Sequence, residues 1–165
     1  MGKISNILDK IADTLEEIPY GKMLFSVIAF IGYSLLATRI HELGHFIVAR
    51  LLGYTSYTTM VTQFFGSTQV VGSINPSHLI IIAYAGPIIS FIIGSYLWFL
   101  EENGLARFGA IPFWIYSTLP NLDPTVPFTD AGVAVSAGFP LTSALIIYLV
   151  VASFVAYHLF KEVMT

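Results

Sequence analysis

Ile4, Ile7, Leu8, Ile11, Leu15 and Ile18 recur at helical spacing, while Lys3, Asp9, Lys10, Asp13, Glu16 and Glu17 fill the opposite face. This two-sided pattern predicts an amphipathic helix over 1–20, lying on a membrane surface or packed on a partner or on the rest of the chain. Pro19 and Gly21 end it. The pattern then becomes apolar all round. Residues 23–52 read as one long helix, with Gly53 as its stop. Residues 54–74 are rich in Tyr, Thr, Val, Gln and Phe and predict two short strands, with Gly66-Ser67 as the turn; an uncharged re-entrant loop is the alternative. Residues 77–100 form a second apolar run. A third, Phe108 to Leu119, is too short to span alone, so it must extend to about 135 through Pro120, Pro124 and Pro127. A regular helix cannot run through those prolines. Broken backbone at membrane depth is tolerated where it is buried in protein or lines a cavity. The last run covers 137–160, with Gly138-Phe139-Pro140 as a kink or start.

The expected fold is therefore an all-α polytopic membrane protein. It has about four transmembrane helices, a short membrane-associated β-hairpin and an N-terminal amphipathic helix. Residues 21–165 form one domain.

Composition agrees with a multi-pass integral membrane protein, expected in the cell membrane. The chain of 165 residues is 56% hydrophobic and 10% charged, with mean hydropathy +0.79, where soluble domains average roughly 25% charged residues. No Asp, Glu, Lys or Arg occurs from Leu51 to Leu100 or from Ala131 to Phe160. Cysteine is absent, which excludes disulfides, thiolate ligands and a cysteine nucleophile. The net charge of −3 and the lack of a basic cluster argue against nucleic acid as a partner. No basic segment followed by a short apolar run opens the chain, so a cleaved signal peptide is not expected.

Against this background His41-Glu42-Leu43-Gly44-His45 stands out. On a helix the two histidines lie one turn apart on one face and can share one zinc ion. Glu42 is placed to act as general base towards a water that the metal activates. Ionisable groups in an apolar helix are costly and point to function. Two histidines leave such a site one protein ligand short. Asp123 and Asp130, in the proline-broken segment, are the candidates. Glu101 and Glu102 close a span and face water; His78 and His158 read as interfacial. His41 lies nineteen residues after Lys22, or roughly 28 Å along a helix, which sets the pair near the opposite membrane face. Arg39 and Arg50 then serve as topology anchors that snorkel to headgroups.

His41-Glu-Leu-Gly-His-Phe-Ile-Val-Ala-Arg-Leu-Leu-Gly-Tyr54 resembles the first motif of the site-2 protease family, the intramembrane zinc metalloproteases of peptidase family M50. Ala85-Gly86-Pro87 is similar to that family's Ala-Gly-Pro element. Asn121-Leu122-Asp123-Pro124, followed by Pro127 and Asp130-Ala131-Gly132, resembles its Asn-x-x-Pro…Asp-Gly motif. The resemblance covers about Tyr33 to Gly138. It implies that Asp130 joins His41 and His45 on one Zn²⁺, with Glu42 as the catalytic base. It implies that Asn121 lines the site and contacts substrate or the developing oxyanion. Gly66 of the hairpin and Pro87 become substrate-binding positions, with the hairpin pairing with an unwound substrate strand. This sequence departs from the pattern in having Asp-Ala-Gly, and in an Asn121–Asp130 spacing about one residue longer. It shows no PDZ-like insert, so the gating such inserts provide is expected from the membrane domain itself or from a regulatory partner in that place.

The implied activity is a zinc-dependent endopeptidase that cuts transmembrane segments of other membrane proteins within the bilayer. A non-proteolytic metal-binding membrane protein with the same fold, such as a chaperone, transporter or scaffold, is the alternative. A further rival, an HExxH protease with Glu as third ligand, predicts no metal role for Asp130.

Overall fold

The computed structural model describes residues 20–60, 62, 66–99 and 104–164. The surface helix expected over 1–20 thus lies outside the described residues, apart from Tyr20, which opens the next helix. Helix α1 (Tyr20–Leu51) is unbroken over 32 residues, or about 48 Å at 1.5 Å per residue, longer than a bilayer core of ~30 Å. Its first half is exposed. From Ser34 onward one side is buried: Ser34, Ala37, Thr38, His41, Glu42, His45 and Ala49. That side is largely polar, while Leu36, Leu43, Ile47 and Leu51 point outward. The helix is amphipathic in the inverse sense, with its chemistry inward and its apolar side chains towards lipid. It ends where expected. Gly53 has φ +86°, and Tyr54 N donates to Ala49 O while Gly53 N donates to Arg50 O, the paired closure of a Schellman motif.

Strands β1 (Thr55–Met60) and β2 (Gly66–Val71) pair antiparallel, from Thr55↔Val71 to Met60↔Gly66. The hairpin is present, but its turn is not at Gly66-Ser67. Both residues belong to β2. The glycine is required for space rather than for a turn: a Cβ at Gly66 would lie 2.5 Å from Glu42 Cγ. Arg50 ties the hairpin to α1. Its guanidinium donates to Ser56 O at 2.9 Å and lies 5.3 Å from the Phe46 ring centre. Arg50 is thus a structural pin for β1 as well as a flanking charge.

Helix α2 (Pro76–Phe99) crosses α1 through small residues. A Cβ at Gly44 would lie 2.7 Å from Ala85 O, so the backbones approach closely, as small residues permit between membrane helices. The third expected span differs most from expectation. It is built from α3 (Gly104–Ile111), a π-helical stretch Pro112–Thr118, a 3-10 turn Pro120–Leu122, an irregular loop over 123–129 and α4 (Asp130–Ser136). Pro120, Pro124 and Pro127 lack the N–H that a continuous helix needs, so no single helix covers 108–135. Helix α4 ends at Gly138, φ +102°, with Phe139 N bonded to Ala134 O and Gly138 N to Val135 O. After Pro140, α5 (Leu141–Met164) completes the described chain. Among the described residues three helices, not four, are long and apolar enough to cross a membrane: α1, α2 and α5.

Trp98 and Trp114 pack with Val155, Phe154 and His158 at one end of this assembly. Trp114 is fully buried, and Gly94 makes room for its indole. Ala83, Tyr84, Leu122, Ala131 and Ala134 form a second core beside the polar stripe of α1. Lipid offers no hydrophobic drive between helices, so close packing of this kind carries the association.

Candidate metal centre

His41 and His45 leave α1 on the same face, with ring centres 4.8 Å apart. Asp130 arrives from the first turn of α4. Thr129 caps that helix by accepting from Gly132 N at 3.1 Å, and its hydroxyl also lies 2.6 Å from Asp123 O and 2.8 Å from Val126 O. The cap thereby fastens the 123–129 loop and fixes where Asp130 starts. The carboxylate faces both rings: Oδ2 lies 2.9 Å from His41 Nε2 and Oδ1 lies 3.3 Å from His45 Nε2. The two Nε2 atoms are 3.1 Å apart. His41, Glu42 and His45 are 5%, 7% and 6% exposed.

The donor chemistry tests the fit to a metal. His45 Nδ1 lies 2.7 Å from Ile82 O, and a carbonyl accepts only, so Nδ1 carries the hydrogen and the neutral ring presents a bare Nε2 inward. A backbone carbonyl oriented on the outer nitrogen is the usual support of a metal-ligating histidine. The two Nε2 atoms, 3.1 Å apart, and the Asp130 carboxylate, with one oxygen 2.9 Å from His41 and the other 3.3 Å from His45, are spaced on the scale of the ~3.3 Å between ligand atoms about Zn²⁺ with bonds of ~2.0–2.1 Å. Two nitrogens and a carboxylate fit this ion.

Helix α2 shapes the floor. A Cβ on Gly86 would collide with His45 Nε2 and lie 2.8 Å from His41 Nε2, so any side chain there crowds both imidazoles. Pro87 is fully buried inside α2 and does not line the cavity. It removes the N–H that would pair with Ala83 O, in the turn whose Ile82 carbonyl supports His45.

Glu42 turns towards the hairpin. Its Oε2 lies 2.8 Å from Thr68 Oγ1 on β2, and one ligand atom from each of His41, Glu42 and His45 falls within 4.8 Å of the others. The group opens into a cavity of about 460 Å³, bounded by β2 residues including Gly66 and Thr68, by Ser117, Asn121 and Phe128, and by Ile82 of α2. Asn121 reaches it on the 3-10 turn, where Nδ2 donates to Ser117 O at 3.0 Å. An amide NH₂ has a second hydrogen. Ser117 in turn donates to Ala37 O at 3.1 Å and lies 3.2 Å from Ser90 Oγ. The π-helical stretch is thus pinned to α1 one turn before His41; such stretches are frequent at functional sites.

Of the two candidate aspartates, Asp130 meets the imidazoles. Asp123 Oδ1 instead accepts from Thr125 N at 2.9 Å and Thr125 Oγ1 at 2.6 Å, bonds that hold its carboxyl below the usual range. His78 is bonded to Tyr54 OH at 2.9 Å, and His158 sits among aromatic rings; neither lines the cavity. Glu101 and Glu102 lie outside the described residues. Sequence reasoning passed over Thr68, Ser117 and the separate part of Gly86. Alternation of Gly66, Thr68 and Val70 in a strand could have singled out Thr68, and a serine in an apolar helix is itself a signal.

Three helices long and apolar enough to cross a membrane carry among them a buried His-Glu-His group that could hold a metal ion. The family model described as Peptidase M50B-like matches residues 24–119. The chain belongs to that family, which is generally zinc-dependent. The matched region includes the His41–His45 segment, the hairpin and α2, and ends just before Asn121 and Asp130. No curated protein and no solved structure matches the chain.

Proposed function

We propose that the protein is a zinc-dependent intramembrane endopeptidase of the cell membrane that cuts transmembrane segments of other membrane proteins. The observation that carries this is the convergence of His41, His45 and Asp130 beside a buried Glu42 in one open cavity. His41, His45 and Asp130 would hold Zn²⁺. When bound there the ion supplies Lewis-acid activation of water and of the scissile carbonyl. Glu42 accepts the water's proton at Oε1, the oxygen that Thr68 does not touch, and delivers it to the leaving amine. Asn121 donates its second amide hydrogen to the developing oxyanion.

The substrate helix must unwind to present a peptide bond, and Gly66 and the rest of β2 offer it a strand to pair with. A regulatory partner in place of a PDZ module controls access. Residues 21–165 act as one catalytic domain in this scheme, with the broken segment taking the place of a regular span.

Glu42→Gln supplies the test. Purified variant should retain one zinc per chain and lose cleavage of a model transmembrane substrate by at least ~10²-fold. Wild-type cleavage by that variant overturns the mechanism. Zinc binding by wild-type protein without chelator-sensitive cleavage of a panel of transmembrane substrates favours a non-proteolytic metal-binding role.

A further inference from the structure

We propose that Thr68 is the positioning residue of the Glu42 carboxylate, so that the hairpin rather than α1 sets the orientation of the base. The proposal rests on the reading of Glu42 as the base.

A glutamate has rotatable bonds that a helix alone does not fix, and holding such a side chain has an entropic cost. Here the restraint comes from another element. Thr68 Oγ1 lies 2.8 Å from Glu42 Oε2 and 3.0 Å from Glu42 O. Its single hydrogen serves one acceptor at a time, and a hydrogen bond to an ionised acceptor is the stronger of the two. Thr58 is the register partner of Thr68 across the hairpin, with its hydroxyl 3.1 Å away. Thr58 donating to Thr68, and Thr68 to Oε2, gives a two-hydroxyl chain that ends on the carboxylate.

Gly66 lies two residues earlier on the same face of β2 and leaves space for Glu42 Cγ that a Cβ would fill. Glycine and hydroxyl thus clasp the methylenes and one oxygen of Glu42, and the other oxygen is left for proton transfer. Any shift of β2, including one imposed by a strand that pairs with it, moves the base.

Thr68→Val keeps the branched shape and removes the donor; Thr68→Ser keeps the donor. Cleavage kinetics on a model transmembrane substrate should show kcat about ten-fold or more lower in Thr68→Val, with KM and zinc content unchanged, and most of kcat restored in Thr68→Ser. Thr68→Ala carries the same expectation should valine disrupt the hairpin. Wild-type kcat in the donor-less variants, serine as poor as valine, or a loss confined to KM overturns the proposal.

A second readout is independent of activity. In zinc-loaded protein in detergent, Thr68→Val and Glu42→Ala together should lower the melting temperature by less than the sum of the two single effects. Strict additivity overturns the contact. Failure of the protease reading shows instead as a wild type that does not cleave, while this cycle still decides the role of Thr68.

Discussion

The His41–His45 pair and His158 sit in contrasting surroundings, and their neighbours give them opposite parts. His41 and His45 face a carboxylate, a backbone carbonyl and each other, with the inner nitrogens 3.1 Å apart. His158 lies with Phe154, Phe99 and Tyr157 at ring separations of 4.6, 4.8 and 5.1 Å, and with Trp98 and Trp114 further out. The first pair converges on a point that a cation can occupy; the second ring is one aromatic among several. An imidazole in a membrane helix is therefore not a metal ligand by virtue of its depth. What decides is whether other donors meet it.

The sharpest way to break this contrast is His45→Ala or Asp130→Ala. Either should abolish stoichiometric zinc by elemental analysis, and cleavage with it; full zinc in Asp130→Ala would return the third ligand to another residue. Asn121→Ala should keep zinc and lower kcat by about 10²–10³-fold. Gly86→Ala pushes a methyl into both imidazoles and should weaken zinc by about 10–100-fold, read by competition with a chelator. His158→Phe should leave zinc and cleavage unchanged and shift the melting temperature by a few degrees at most, since each aromatic pair contributes ~0.5–1.5 kcal/mol.

Asp123→Asn should have the smallest effect. A carboxyl whose pKa is lowered by folding stabilises the fold above its unfolded value of ~3.9, and that contribution is lost as pH falls through the lower folded value. The gap in melting temperature between wild type and Asp123→Asn should therefore close as pH drops below about 4. A gap that widens in acid would contradict the bonds from Thr125.

Much of this architecture was legible before any coordinates. The long apolar runs marked α1, α2 and α5, and His41-Glu-Leu-Gly-His marked the inward face of α1, because ionisable groups in such a helix have few other uses. The hairpin showed in its Thr, Tyr and Val content. The broken segment was legible only as broken. Prolines say that a helix stops, not whether the chain continues as π-helix, 3-10 turn or loop, so a fourth span was expected where, among the described residues, three helices are long and apolar enough to cross. Gly66 looked like a turn because glycine commonly marks one; its need for space under Glu42 is a long-range contact that no local pattern carries. Alternation puts Thr68 on the same strand face as Gly66, but nothing local says that this face meets Glu42, so Thr68 was passed over.

The inverse amphipathicity of α1 also bears on how the molecule is made. His41 and His45 enter the bilayer with the first described helix, while Asp130 follows 85 residues after His45. At 5–20 residues per second, synthesis of that interval takes roughly 4–17 s. For about the first half of it the polar stripe of α1 lacks the glycine floor of α2, since Gly86 follows 41 residues after His45, and throughout it the stripe lacks its carboxylate. The nascent chain therefore carries a latent centre, assembled late and from both ends of the fold, and α1 needs a temporary neighbour, water or insertion machinery, until the rest of its own polypeptide arrives.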